Sequence, residues 1–327
     1  MFNGAYTTVG PIIPEMTRTE IRIPASTSNL GASFDACGLA LGLYLTVTVE
    51  KRTNGFELIP TGEGQEAVAR DQSNLIFRVA RSISELRGKP IEGARLNVNS
   101  QIPLARGLGS SSAAIIAGLS VYESLSGEKL SEEELFSNAL RFEDHGDNLA
   151  PSLLGGLVVA CVTEQLGQGR FLTPVKREWP EDVKVVLCIP EFEMDTARMR
   201  SVLPREVMLT DAVSNIQRAA LLQALISERR FDLFSEALRD CLHQAHRAAH
   251  CPGMSDVLTM NGQICDYPGL LGVALSGAGS TVIAFATRNF ESIGAEMASR
   301  FAASNVKSRS LEVSIDNRGR VVKEISG

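Results

Sequence analysis

Apolar and polar side chains alternate with period two over residues 43–50, LYLTVTVE, and again over 94–102, so both stretches read as half-buried strands within a strand-rich opening over 20–60. Between them Leu75, Ile76, Val79, Ile83 and Leu86 recur at helical spacing, and Gly88 supplies a stop. A second helix is expected over SSSAAIIAGLSVYESLSG, closed by Gly127. Ser131 with Glu134 forms a capping box for a third. The apolar run 155–162 reads as a strand. In the second half the pattern predicts a strand over 183–189 and two or three helices between 204 and 265. Strands over 272–275 and 281–286 then flank a glycine-rich turn, and a helix over 290–303 precedes a final strand over 308–314. Strands and helices do not alternate regularly, which favours an α+β class over a doubly wound sheet.

The 327 residues suggest two domains at roughly 150 residues each. The polar stretch 163–182, with Gly167, Gly169, Pro174 and Pro180, marks the boundary, giving domains over 19–170 and 171–327 after an extension over 1–18. Met16 stands in that extension as an alternative start. Hydrophobic residues make up 44% and charged ones 21%, enough for two cores without disulfides or metals. The net charge of -6 disfavours nucleic acid or an anionic membrane as the main partner. No run approaches the ~18 apolar residues of a membrane span. Of the six cysteines no two form a C-x-x-C, which argues against a zinc ribbon or a dithiol redox motif. Reduced thiols and an N-terminus unlike a signal peptide lead us to expect a cytoplasmic protein. His243, His246 and His250 fall at i, i+3 and i+7 of an expected helix, beside Cys241 and Cys251. Without a second ligand cluster, a helix face near a substrate pocket is favoured over a metal site.

Chemistry concentrates in four polar, glycine-bearing segments. The first is residues 103–114, PLARGLGSSSAA. Gly107 and Gly109 allow a tight turn and close approach to a ligand. Ser110, Ser111 and Ser112 follow at a helix start, where unpaired N–H groups and the positive dipole end form a phosphate cradle. The hydroxyls can add hydrogen bonds or ligate magnesium. G-x-x-x-x-G-K-[ST], G-x-G-x-x-G, H-R-D and D-F-G are all absent. Taken singly, GLGSS also fits a serine N-cap after a glycine turn. The second segment is IPASTSNLGASFDACGLAL, 23–41; the third is EDHGDNLAPSLLGG, 143–156; the fourth is VALSGAGSTVIAFA, 273–286. Alone, these also fit local Asn/Asp turns, a solvated acidic turn and a glycine hairpin.

Together, in this order, they resemble the motifs of the GHMP kinases, and most closely their homoserine kinase branch, over residues 20–314. Departures are Ser28, Ser33, Ser112, Asp144, Gly146, Ala278 and Ser280. The resemblance implies a two-domain GHMP kinase fold. Its N-terminal domain is ribosomal-protein-like with a left-handed βαβ crossover, and its C-terminal domain is ferredoxin-like. It implies ATP and Mg2+, with L-homoserine phosphorylated on its hydroxyl as a step toward threonine. Nucleotide contacts would come from Pro103, Leu104, Ala105, Arg106, Gly107, Leu108, Gly109, Ser110, Ser111, Ser112 and Ala113, with Asn74 at the adenine. Ser111 and Glu143 would hold magnesium. Asn29 and Asp35 would face the hydroxyl and amine of the substrate, with His145, Asp147, Thr196 and Gly277 beside it. Arg200, in DTARMRSVLP, and Arg247, in HRAAHCPG, would clamp its carboxylate; His246 stands where the family has tyrosine. Asn29, Asp35, Glu143 and Asp147 form the catalytic set. Asp147 and Asp35 are candidate bases, unless the proton leaves late, to the phosphate itself. No lysine lies in the family motifs, so a lysine-assisted variant is not supported. Two alternatives stay open: a GHMP kinase for another small alcohol, for which Arg200 and Arg247 would be dispensable, and a catalytically dead nucleotide sensor. Neither nucleic acid nor membrane is implied; a homodimer is the one assembly considered.

Overall fold

The computed structural model describes residues 18–165 and 169–325. The expected extension over 1–18, apart from Arg18, lies outside the described residues, as do Met16 and Gly167.

Two sheets organise the chain. In the larger one β1 (Arg18–Ser28) runs antiparallel to β2 (Cys37–Lys51), with a register shift at Pro24/Ala25, where proline cannot donate to the ladder. β2 is long enough to serve two neighbours. Its first residues pair with β5 (Leu157–Gln165), and residues 45–51 pair with β4 (Ala94–Ser100). β3 (Phe56–Gly62) lies parallel to β4, and α1 (Leu75–Arg87) makes the crossover between them. α1 begins on the Asn74 side chain and ends on a left-handed Gly88. α2 (Ser110–Ser126) follows, buried on nearly every side, so it reads as apolar rather than amphipathic. α3 (Glu132–Ala139) has the expected Ser131–Glu134 capping box. α4 (Leu149–Leu154) leads into β5, which pairs along its length with β6 (Gly169–Arg177).

The smaller sheet contains β7 (Lys184–Pro190), β8 (Leu270–Leu275), β9 (Val282–Ala286) and β10 (Ser308–Val313), in the order β10-β7-β9-β8 and antiparallel throughout. Numbered within the sheet this is 4-1-3-2, the ferredoxin-like arrangement. Both faces are covered. Val185, Leu187, Ile283 and Phe285 join the large core, while Val186, Cys188, Val282 and Ala284 face a second core with Met254, Met297 and Phe301. Burial on both faces explains why these strands read as unbroken apolar runs.

Three expectations need correction. The boundary drawn at 170 falls inside β6, and the chain leaves the large sheet only after Arg177. The strand over 308–314 is not the last: β11 (Val321–Ile325) returns to pair with β1 in the large sheet. It is a short edge strand whose two valines stand among charges, a pattern too brief to read. The region 204–265 holds one long helix, α6 (Leu209–Ser227), and three short ones, α7 (Phe234–Ala237), α8 (Gln244–Ala248) and α9 (Met254–Leu258). α5 (Thr196–Ser201) precedes them and α10 (Phe290–Ala303) follows β9. Asp240 accepts backbone N–H bonds from residues 242–244, and Pro252 and Gly253 interrupt the next stretch. No continuous helix therefore spans the three histidines. His243 is buried while His246 and His250 are exposed, so they share no face.

Candidate active site

The glycine–serine loop is fixed by the other motifs. Gly107 and Gly109 both have left-handed φ, +72° and +69°. A Cβ on Gly109 would overlap Ser26 Oγ, and one on Gly107 the Ser276 carbonyl. Glycine is needed here for close approach as well as for conformation. Leu108 O accepts from Ser26 N, Arg106 O from Thr281 N, and Gly107 O from Ser276 Oγ at 2.7 Å. The N-terminus of α2 is thus held between the end of β1 and the β8–β9 turn.

A single cavity opens at that helix end. Asn29, Asp35, Ala105 through Ser112, Glu143, His145, Asp147, Thr196, Arg200, Arg247 and Gly277 all line it, as do Ser28, Asn148 and Ala278. Of the expected site residues, four stand elsewhere. Pro103 and Leu104 line a neighbouring cleft with Glu63 and Arg309, and Leu104 also borders the apolar cavity that Asn74 lines. Ala113 is fully buried in α2. Asn74 borders an apolar cavity formed by Leu45, Pro60, Val68, Val98, Ile102 and Ala114, among others. Both polar ends of Asn74 are engaged: Oδ1 accepts from Ile76 N and Nδ2 donates to Ala69 O. It caps α1 and shapes the wall of that cavity. Ser110 and Ser111 border both cavities.

Asn29 is held from two sides. Its Nδ2 donates to Gly277 O at 3.0 Å and its Oδ1 accepts from Asp35 N at 3.0 Å. The first bond ties the loop after β1 to the β8–β9 turn and the second folds that loop on itself, so the amide braces the cavity that it lines. Its φ of +72° suits asparagine, which tolerates the left-handed region.

Three acid–base groups stand in a row. His145 Nε2 lies 3.4 Å from Glu143 Oε1, and His145 Nδ1 lies 3.3 Å from Asp147 Oδ1. The Nδ1 contact is an ion pair without hydrogen-bond alignment. Burial opposes charge on His145, but Asp147, Glu143 and Asp35 outweigh it and push its pKa up to about 9. Burial holds the Glu143 carboxyl above its usual range, with His145 opposing.

Across the cavity Arg200 Nη2 contacts both carboxylate oxygens of Asp35 at 2.8 Å. Asp195 caps α5, which carries Thr196 and Arg200. Arg247 is 3% exposed. Its Nη1 donates to Gly277 O at 2.9 Å and its Nε to Met199 O at 3.3 Å. Burial pulls its pKa down to about 10, with Asp35 offsetting and Arg200 adding to the effect. Both guanidiniums sit over the Phe34 ring, at 5.4 Å for Arg200 and 5.2 Å for Arg247. Sequence reasoning assigned no role to Phe34 or Asn148, and placed His243 only on a helix face near a substrate pocket. Phe34 carried a readable signal, an aromatic inside a polar loop. Asn148, whose amide links Ser26 and Ser28, carried none.

Residues 74–156 match the family GHMP kinases N terminal domain. Over 300 residues the chain is 38% identical to the homoserine kinase of Persephonella marina, covering 92% of this chain and 96% of that one. The chain belongs to the homoserine kinases of the GHMP family. The homoserine kinase of Moorella thermoacetica is likewise 38% identical, covering 92% of this chain and 99% of the relative. The crystal structure of homoserine kinase from Cytophaga hutchinsonii superposes with a TM-score of 0.80 at 24% identity, covering 98% of this chain and 100% of that one; it shares the fold. As a GHMP kinase the chain is an ATP-dependent phosphotransferase. Among the described residues no helix is long and apolar enough to cross a membrane.

Proposed function

We propose that the chain transfers the γ-phosphoryl group of ATP to the side-chain hydroxyl of L-homoserine, giving O-phospho-L-homoserine and ADP. The observation that carries this is one cavity holding a helix-end phosphate cradle opposite an acid–arginine group suited to a zwitterion. The apolar cavity beyond Ser110 and Ser111 suits the adenine.

In this reading the N–H groups at the start of α2 bind phosphate oxygens. Arg200 and Arg247 take the substrate carboxylate, and Asp35, released from Arg200, takes the ammonium. The charged His145 adds a positive group beside the transferring phosphoryl, and Asp147 orients the hydroxyl or accepts its proton. Positioning and electrostatics supply most of the acceleration.

The donor set also fits Mg2+. Glu143 offers a carboxylate whose desolvation a cation would offset, and Ser111 a second hard oxygen; phosphate and water would complete the shell. Among the described residues no three His, Cys, Asp or Glu side chains are arranged to hold a metal ion by themselves. Bound there, Mg2+ would neutralise charge on the phosphates. The free thiols at all six cysteines suit a reducing cytoplasm.

The test is ADP release from magnesium-ATP with L-homoserine, mevalonate, galactose, shikimate or no acceptor. Turnover with L-homoserine alone supports the proposal. Turnover with another alcohol, or none while nucleotide still binds, overturns it.

A further inference from the structure

His243 takes no part in the site as described, yet it is fully buried against it. Its Nε2 lies 2.8 Å from Gly31 O, in the loop after β1. A carbonyl only accepts, so Nε2 carries the hydrogen and Nδ1 is left bare. Nδ1 faces Arg247 Nη1 at 3.3 Å, and a guanidinium only donates. The two neighbours thus select one neutral tautomer. Burial favours that neutral form, with Asp240 and Asp35 pulling the other way and Arg247 adding to it.

The ring itself is held. Asp240 accepts from the backbone N–H of His243 and Gln244 at 2.7 and 2.6 Å, and from Asn215 Nδ2 at 2.7 Å. This fixes the chain where it enters α8. Phe34 stacks on the imidazole with centroids 5.1 Å apart, and the same ring carries both arginines. Arg247 is then gripped through Nε and Nη1 by Met199 O, Gly277 O and His243 Nδ1. Its Nη2 has no hydrogen-bond partner among the described residues, and the side chain lines the cavity.

We propose that His243 is a positioning residue for substrate recognition: held as the Nε2–H tautomer by the Gly31 carbonyl, it presents Nδ1 as an acceptor to Arg247 and so aims the guanidinium at the substrate carboxylate. This rests on the L-homoserine reading above. The rim residues Asp35 and Arg200 act on the same ligand, but His243 acts through Arg247 alone.

Two substitutions separate the ring's two contacts. In His243→Asn the amide oxygen takes the place of Nδ1 and keeps an acceptor for Arg247. In His243→Gln the amide nitrogen takes the place of Nε2, keeps the Gly31 bond and loses that acceptor. We expect His243→Gln to raise KM for L-homoserine about tenfold or more, the effect of one lost bond to a charged group, with KM for ATP within about twofold and kcat within about threefold. His243→Asn should stay within about threefold of wild type in all three. Equal effects of the two variants on KM for L-homoserine, or a matching rise in KM for ATP, overturn the proposal. Should either variant fail to fold, nitrogen NMR of the wild-type histidines decides. The expected result is an unprotonated Nδ1 on His243 that shifts with L-homoserine and not with ATP; a protonated Nδ1, or no shift with L-homoserine, overturns it. A wild-type chain that neither binds nor turns over L-homoserine overturns the substrate reading together with this one. Turnover by wild type with indistinguishable variants removes this one alone.

Discussion

Asp35 and Arg200, 165 positions apart in the chain, meet across the cavity mouth, with one guanidinium nitrogen 2.8 Å from each carboxylate oxygen. Their side chains are 35% and 44% exposed, so the pair adds little to stability, about 0–1 kcal/mol. Its value lies in having opposite charges a few ångströms apart, the pattern an amino-acid zwitterion would exchange into. Arg200→Ala should therefore leave the melting temperature within about 3 °C while raising KM for L-homoserine on the order of tenfold to a hundredfold. Thermal melts beside steady-state kinetics check this; a large melting shift without a KM effect would count against it.

Arg247 is the opposite case. It is buried and held by two carbonyls, so removing it strands those acceptors. Arg247→Ala should cost about 1–3 kcal/mol in denaturant unfolding as well as substrate affinity. Arg247→Lys keeps a charge but not the planar fork, and should raise KM for L-homoserine at least about tenfold with KM for ATP little changed.

His145 gives a pH dependence with a defined sign. Its folded pKa of about 9 lies above the ordinary value of 6.5, so its contribution to stability is full below pH 6.5 and is lost as pH rises through 9. The wild-type chain without ligands should lose unfolding free energy across that window. Asp147→Asn removes a main cause of the shift and should lower the His145 midpoint, read by NMR titration. A midpoint unmoved by Asp147→Asn would refute the row as described.

Glu143→Gln tests the proposed Mg2+ contact. It keeps the shape and removes the anion, so the Mg2+ concentration for half-maximal activity should rise about tenfold or more, with kcat lowered on the order of a hundredfold. Nucleotide binding measured without Mg2+ should be unaffected.

Arg320, just before β11, pairs with Glu123 of α2, whose side chain is 2% exposed. Arg320→Ala leaves that carboxylate buried without its cation and should cost about 3–5 kcal/mol. Urea unfolding would read this, with KM for both substrates unchanged in the folded fraction.

The long elements were legible because local rules and tertiary packing agree on them. α1 has helical apolar spacing with Asn74 and Gly88 as stops, and α3 announces itself by its capping box. β11 and the short helices α7–α9 were not legible. Their positions are set by what they pack against, and segments of four or five residues carry too little periodicity to be read alone.

The site divides in the same way. By itself the sequence determined the chemistry present: a serine-rich helix start after two turn-forming glycines, an acid–histidine–acid segment and two arginines in the second half. Only the tertiary structure decided which of these atoms are free to act. Asn29 and Asn74, read as ligand contacts, border their cavities with one N–H and one lone pair already engaged in internal hydrogen bonds. Phe34, given no role in the sequence, lies under both arginines, and His243, read only as a residue near a substrate pocket, contacts Arg247. The reason is that a buried polar atom must find a partner, and that partner is chosen by neighbours hundreds of positions away, such as Gly277 for Asn29. Residue identity records what a side chain can donate or accept; the folded neighbours decide what remains for a ligand.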